Sequence, residues 1–125
     1  MRSTVRTDRA PAAIGPYSQA ILANDTLYCS GQIAIDPDTG TLVTSSLEAE
    51  TERVLENIGA VLRSVQMDYE NVVKCTVYVT NMEDYALVNE VYARFFREDP
   101  PARETVAVCA LPRGARVEIS CTAVR

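Results

Sequence analysis

The sequence lacks histidine and tryptophan, and it contains a single lysine, Lys74. Without histidine, the chain cannot build a Ser-His-Asp triad, a Cys-His nucleophile pair or most of the common zinc sites. The groups left for proton transfer are carboxylates, tyrosines, the one lysine and the main chain. Any acid–base chemistry in this protein must therefore come from those groups.

Long apolar runs and clusters of basic residues are absent as well. No apolar stretch approaches the roughly 18 residues that a membrane-spanning helix requires. The N-terminus lacks the charged-then-apolar pattern of a secretory signal. The net charge is −5 and no run of lysine or arginine occurs, which disfavours nucleic acids and anionic membranes as partners. We therefore expect a cytoplasmic protein, or an organellar one if a targeting segment has been removed.

The four cysteines are widely separated and form no C-x-x-C pair. Each lies in an apolar or alternating segment, where an unpaired thiol behaves as a small hydrophobic side chain. We therefore expect structural core thiols at Cys29, Cys75, Cys109 and Cys121. The chain has 125 residues, of which 47% are apolar and 23% charged, a composition typical of one globular domain spanning residues 1–125.

Hydrophobic periodicity predicts the order strands, helix, strand, helix, strands. Ser45 and Glu48 have the spacing of a capping box and should open the first helix, which continues to about Val65. The second helix should carry one apolar stripe, formed by Tyr85, Val88, Val91, Tyr92, Phe95 and Phe96. The predicted segments are strands at 17–23, 26–30, 71–80, 103–110 and 116–123, and helices at 45–65 and 82–97.

This order of elements indicates an α+β fold. Two helices joined through one strand suggest βαβ-like crossovers that pack both helices on one face of a mixed β-sheet. Yet the predicted strands at 17–23, 26–30 and 103–110 carry apolar residues on both sides. The face that the helices leave uncovered should pack against something, and identical subunits are the simplest candidate. The sequence therefore indicates an oligomer.

The C-terminal segment contains a suggestive pair of charged residues. Arg103 opens one predicted strand and Glu118 lies on the polar face of the next, with a turn at 111–114 between them. If the strands pair, or if neighbouring elements complete a pocket, both side chains could face one small ligand. A guanidinium binds a carboxylate in bidentate fashion, and a glutamate can handle a proton or a water molecule. This pattern suggests chemistry on an α-carbonyl-type acid, although spacing alone also fits solvated surface charges.

Six short motifs occur in order along the chain: GPYSQA at 15–20, SGQI at 30–33, LENI at 55–58, VNEVY at 88–92, PAR at 101–103 and VEI at 117–119. Together they make the sequence resemble the RidA (YjgF/YER057c/UK114) family, and the arginine of the PAR motif resembles that of its deaminating members. The resemblance implies a chorismate-mutase-like fold and a homotrimer with sites in the clefts between subunits. It also implies hydrolysis of reactive 2-imino acids, such as 2-iminobutanoate and 2-iminopropanoate, to 2-oxo acids and ammonia. This reaction uses no metal or cofactor and protects pyridoxal-phosphate enzymes.

The same resemblance implies roles for individual residues. Arg103 would hold the substrate carboxylate, and Glu118 would position or activate the attacking water. The pocket would be shaped by Tyr17, Ser30, Gly31 and Asn89. Thr105 stands where many relatives have a cysteine, and the family assigns water binding there to the main-chain carbonyl. A threonine is therefore compatible with activity, but it excludes a thiol role at that position.

A second interpretation is a small-molecule-binding or regulatory trimer that holds 2-oxo acids in the same cleft without turnover. Arg103 serves both interpretations, so Glu118 discriminates between them. A holdase-like chaperone role, described for some family members, has no specific support in this sequence. The preferred imino acid is not predicted, because the size of the pocket depends on neighbouring subunits.

Overall fold

All six strands of the chain lie in one mixed β-sheet, in a computed structural model that describes residues 1–125. The strand order is β1-β2-β3-β6-β4-β5, and every neighbouring pair is antiparallel except β4 and β5. The strands are β1 (Arg2–Val5), β2 (Ala20–Ala23), β3 (Thr26–Gln32), β4 (Val72–Val79), β5 (Ala102–Ala107) and β6 (Val117–Val124), and the helices are α1 (Leu47–Ser64) and α2 (Tyr85–Phe95).

Both helices lie on one face of the sheet. Alternate residues of β4 and β6, among them Val77 and Ile119, are fully buried beneath them. α1 contacts β3 and β6, and α2 packs beside α1. The core of this layer is formed largely by Leu27, Val54, Leu55, Ile58, Val61, Leu62, Val79, Val91 and Val117. The predicted α+β class, with a mixed sheet and two helices on one face, is confirmed.

The two C-terminal strands do not form the hairpin that the sequence suggested. β4 lies between β5 and β6, so β5 pairs with β4 in parallel and β6 pairs with β4 on its other side. The reason is the crossover through α2, because a strand that follows a crossover helix returns parallel to the strand it left. The segment 111–114 is therefore a connection across β4, with a 3₁₀ turn at Pro112–Gly114.

Helix boundaries differ from the predicted ones at two points. Ser46, not Ser45, caps α1, because its backbone is extended and its Oγ accepts a 3.0 Å hydrogen bond from the Ala49 amide. A 3₁₀ turn at Met82–Asp84 precedes α2, so the helix begins at Tyr85. As its first residue, Tyr85 is exposed rather than part of the apolar stripe.

Three of the four cysteines lie in the core, and all four are unpaired. Cys121 in β6 pairs across the sheet with Cys29 in β3 and with Cys75 in β4. Burial raises the pKa of Cys75 to about 12, which keeps its thiol protonated. The expectation of a core thiol is wrong for Cys109, which is exposed because β5 ends at Ala107 and the chain then leaves the sheet.

No helix covers the other face of the sheet. We call this surface the open face. Its apolar residues include Tyr28, which is 54% exposed, and Val106, which is 39% exposed. It also carries Ile21, Thr76, Tyr78, Glu118, Ser120 and Thr122. Neither helix is long and apolar enough to cross a membrane.

Candidate active site

Glu118 lies on the open face, pressed against the main chain of Gly31. β6 places Glu118 opposite Tyr78 of β4, and Gly31 lies in a bulge of β3 where the register shifts between Cys29 and Gln32. A β carbon at Gly31 would lie only 2.8 Å from Cδ of Glu118 and closer still to Oε2. Position 31 must therefore be glycine if the carboxylate is to stay where it is. Burial against this strand raises the pKa of Glu118.

A cavity of about 310 Å³ opens in front of the Glu118 carboxylate. Its wall is largely apolar and comes from the N-terminal connector (residues 6–19, between β1 and β2), the end of β3 and the segment before β6. Tyr17 lies at its edge, 54% exposed, and its Oη accepts a 3.3 Å hydrogen bond from the Ile14 amide. Ser30 donates from Oγ to the Ser18 carbonyl at 2.6 Å, so its hydroxyl holds the connector in place.

Two buried amide side chains hold the loops around this cavity. Gln19 binds the connector, accepting from the Thr7 amide at 2.7 Å and donating to the carbonyl of Pro11 at 2.7 Å. Asn57 of α1 donates to the carbonyls of Ile33 and Ile35 at 3.1 and 2.9 Å. Sequence reasoning assigned no role to either residue. The available signal was an amide next to apolar residues of a predicted strand or helix, since such a side chain must find partners once buried.

Arg103 lies on the helix face of the sheet and is held by one stripe of α2. Nη1 donates to Asn89 Oδ1 at 2.8 Å, and Nη2 donates to Tyr85 Oη at 3.0 Å. The guanidinium carbon lies 4.8 Å from the centroid of the Tyr92 ring. Residues 85, 89 and 92 recur at helical spacing, which brings all three to one side chain. Three of the five guanidinium N–H groups remain for a ligand.

A second cavity, of about 410 Å³, lies over this arginine. It is lined by Phe96, Ala93 and the two prolines that precede β5. At its base the hydroxyl of Tyr92 is buried and has no nitrogen or oxygen partner. This hydroxyl faces the Cys75 thiol, and burial raises the pKa of Tyr92 above its usual value. Arg103 therefore packs against a buried, uncharged tyrosine, which does not compete with an anionic ligand for the guanidinium.

Within one chain the predicted site residues form two separate groups. Arg103 pairs with Cys75 in the sheet, and Cys75 is a core residue, whereas Glu118 pairs with Tyr78 on the open face. Because side chains alternate along a strand, the guanidinium and the carboxylate point to opposite faces. The structure brings Asn89 to Arg103, and it brings Tyr17 and Gly31 to Glu118. Thr105 is half-buried on the helix face, opposite Val77 of β4.

The arrangement offers an anchor for a carboxylate and a carboxyl group suited to proton transfer, each facing open space. No cluster of three or more cysteine, aspartate and glutamate side chains has a geometry that could hold a metal ion. The chemistry that these residues themselves support is therefore recognition of a small anionic acid and acid–base work on a bound molecule or water.

Comparison with known proteins gave consistent matches over nearly the whole chain. The family model described as "Endoribonuclease L-PSP" matches residues 7–125. A curated mouse protein named 2-iminobutanoate/2-iminopropanoate deaminase is 46% identical over 100% of this chain and 93% of its own length. A Rid family protein from Yersinia pestis superposes with a TM-score of 0.95 at 48% identity, covering 100% of both chains. The structure of E. coli TdcF with bound serine has a TM-score of 0.94 at 36% identity, covering 98% of both chains.

Proposed function

The chain belongs to the endoribonuclease L-PSP family, which includes the RidA proteins. We propose that it hydrolyses reactive 2-imino acids to 2-oxo acids and ammonia. The substrates are the enamine and imine products exemplified by 2-iminobutanoate and 2-iminopropanoate. Removing them protects pyridoxal-phosphate enzymes from covalent damage. The observation that carries the proposal is the clamped guanidinium of Arg103, which offers a fixed, charged edge to a small carboxylate.

The anchor fits the α-carboxylate that every 2-imino acid carries. A guanidinium binds the two oxygens of a carboxylate along one edge, so it fixes the orientation of the substrate as well as its charge. The related TdcF structure holds serine, which has an α-carboxylate and an α-nitrogen in the same relation as in a 2-imino acid. A short substrate with these two groups matches the open space of about 410 Å³ beside Arg103.

Glu118 supplies the proton transfers of the reaction. The substrate enters as the protonated imine, and the carboxylate takes a proton from water as the water oxygen bonds to the C=N carbon, which gives a tetrahedral carbinolamine. The same carboxyl group then returns that proton to nitrogen. As the C–N bond breaks and ammonia leaves, the carboxylate takes the hydroxyl proton, the carbonyl forms, and the proton passes from the carboxyl group to solvent. A pKa raised by burial suits this double role, because it makes the carboxylate a stronger base and brings its pKa closer to the pH at which it must accept and return the proton.

Arg103 and Glu118 meet in this proposal through assembly. In one subunit they point to opposite faces of the sheet. We place the site in a cleft of a homotrimer, where Arg103 of one subunit faces Glu118 of the partner subunit. The apolar side chains on the open face, Tyr28 and Val106 among them, support such an interface because water contact is unfavourable for them. Tyr17, Ser30, Gly31, Asn89 and Thr105 complete the walls.

The proposed reaction needs no metal, cofactor or nucleic acid, and we assign it to the cytoplasm, where the imines arise from amino-acid dehydratases. The imine carbon is already electrophilic, so anchoring and an aimed water provide most of what is required. The net charge of −5 and the absence of histidine favour this reaction over RNA cleavage. We expect full activity to persist after dialysis against a strong chelator, measured as the loss of imine that semicarbazide would otherwise trap.

The test is a competition for imine produced by L-amino-acid oxidase in the presence of semicarbazide. Active protein hydrolyses the imine first and lowers semicarbazone absorbance. Arg103→Ala should lose about tenfold or more in kcat/KM, the value of a charge-assisted contact. Arg97→Ala is the matched control, because Arg97 is an exposed arginine that bonds only to the Arg94 carbonyl.

The outcomes separate the competing interpretations. Hydrolysis by wild type and Arg97→Ala but not Arg103→Ala supports both the reaction and the anchor. Equal hydrolysis by all three proteins keeps the enzyme and rejects the site. No hydrolysis by any of them, combined with binding of 2-oxobutanoate, identifies a binding or regulatory protein instead.

A further inference from the structure

Tyr85 contacts Arg103, and the proposed reaction assigns this tyrosine no role. Its phenolic oxygen accepts the 3.0 Å hydrogen bond from Nη2 of Arg103, and this is the only hydrogen bond that the hydroxyl makes within the chain. Tyr85 is 40% exposed, so its ring contributes little to the core. The sequence predicted a core residue here, and the structure instead places a polar atom of Tyr85 beside the anchor.

The two acceptors on Arg103 act on different nitrogens. Asn89 holds Nη1 and Tyr85 holds Nη2, at 2.8 and 3.0 Å, while the guanidinium carbon stands 4.8 Å from the Tyr92 ring centroid. One hydrogen bond alone would leave the planar group free to turn about its last side-chain bond. Two bonds on separate nitrogens, together with an aromatic surface, define both its plane and its rotation within that plane.

We propose that Tyr85 is a positioning residue, whose hydroxyl fixes the edge that Arg103 presents to the substrate carboxylate. The inference rests on the proposed function and deepens it. Its effect belongs to binding, because the carboxylate is held equally in the ground state and the transition state. Loss of the hydroxyl should therefore raise KM and leave kcat unchanged.

The first measurement compares Tyr85→Phe with Tyr69→Phe. Tyr85→Phe keeps the ring and removes only the acceptor, and we expect KM to rise about three- to tenfold with kcat within about twofold of wild type. Tyr69→Phe is the matched control, since its hydroxyl donates a 2.8 Å hydrogen bond to the Leu55 carbonyl and makes none with Arg103. That variant should alter stability without altering KM. An unchanged KM for Tyr85→Phe, or an equal fall in kcat, would overturn the proposal.

A double-mutant cycle with Arg103→Lys tests whether Tyr85 acts through the guanidinium. A lysine ammonium attracts a carboxylate as a point charge and has no plane to orient. We expect Tyr85→Phe to weaken binding of 2-oxobutanoate severalfold in the wild-type background and less than about twofold in the Arg103→Lys background. Equal losses in both backgrounds would show an effect independent of Arg103 and reject the positioning role.

Calorimetric binding of 2-oxobutanoate separates this inference from the proposed function. If wild type binds the 2-oxo acid but hydrolyses no imine, the enzyme proposal fails while the cycle still decides the role of Tyr85. If imine is hydrolysed and the cycle shows no coupling, the reaction stands and Tyr85 is only a surface tyrosine.

Discussion

Glu118 occupies a position in which its ionised form is unfavourable for the folded chain. Burial raises its pKa, and no basic side chain contributes to that shift. A carboxylic acid whose pKa is higher in the folded state than in the unfolded state stabilises the fold while protonated. That stability is lost as pH rises through the folded-state pKa. Above that pKa the protein therefore carries this charge at a cost to stability, in a place where the proposed chemistry needs it.

Glu118→Gln should remove the activity and increase the stability. We expect kcat to fall by about a hundredfold or more, the usual contribution of a general base. The thermal unfolding midpoint at pH 7 should rise, because a neutral amide replaces a poorly solvated carboxylate. Calorimetric scans from pH 7 down to pH 4 should show the difference narrowing as the wild-type carboxyl group becomes protonated. A midpoint lowered at pH 7 would contradict this account.

The pH dependence of the wild-type enzyme should report the same group. The acid limb of kcat/KM should inflect above about 4.3, the ordinary value for glutamate. Rate measurements across pH 4–8, with the imine generated at constant rate, test this expectation. An inflection at or below the ordinary value would exclude Glu118 as the titrating base.

Gly31→Ala should lower activity and leave stability unchanged. The new β carbon would lie 2.8 Å from Cδ of Glu118, and the long side chain can swing aside at small cost to the fold. We expect loss of most activity with an unfolding midpoint close to wild type. Gly59→Ala provides the contrast, because its β carbon would lie 2.7 Å from Cζ of the Tyr69 ring, away from both cavities. That change should lower the midpoint and spare the rate.

At the scale of elements, loops rather than strands complete the Glu118 cavity, and buried amides hold those loops. The segment after β3 has its carbonyls of Ile33 and Ile35 bound by Asn57, a residue of α1 that is completely buried. Gln19 does the same for the connector between β1 and β2. α1 therefore sets the position of the cavity wall that the loop after β3 forms.

Asn57→Asp should destabilise the chain by about 3 kcal/mol, because an acceptor would face two carbonyl oxygens in a buried place. Urea denaturation at pH 7 measures the change in the free energy of unfolding. Asn71→Asp is the control, since Asn71 also donates to a carbonyl, that of Val124, but at an exposed position. That variant should lose less than about 1 kcal/mol, and equal losses would show that burial of Asn57 is not the cause.

Local patterns predicted the elements well, and tertiary placement limited the prediction of the site. The apolar stripe of α1 and the alternation in β4 and β6 follow from burial on one face, so periodicity revealed them. The sequence suggested that the strands carrying Arg103 and Glu118 form a hairpin, and this pairing is wrong because β4 lies between them. Tyr85 was assigned to the core because periodicity does not show where a helix begins to contact the sheet.

At the scale of the whole molecule, the sheet divides the predicted residues between its two faces. The Arg103 group belongs to the face covered by helices, and the Glu118 group belongs to the open face. In the proposed homotrimer, sites between subunits would turn this division into complete sites. Each subunit would then supply an anchor to one neighbour and a base to the other.

Mixing two impaired variants should restore activity. Arg103→Ala and Glu118→Gln, co-expressed with different affinity tags, should form mixed trimers, and about a third of the sites in each mixed trimer combine both intact residues. Activity of doubly tagged trimers should approach that fraction of wild type. Trimers of either variant alone are the control and should keep only their own low activity. Mixed trimers no more active than these controls would place both residues of a site in the same chain.

Gly31 and Glu118 lie in close contact although they are 87 residues apart in the sequence. A side chain at position 31 would displace the carboxylate at position 118 from the place that the proposed chemistry requires. During divergence, loss of the acid therefore removes the constraint on position 31, whereas keeping the acid in place requires glycine there. We expect a survey of related sequences to find this glutamate together with glycine, and other residues at position 31 mainly where the glutamate is absent. The identities of residues 31 and 118 should therefore distinguish relatives that hydrolyse imines from relatives that do not.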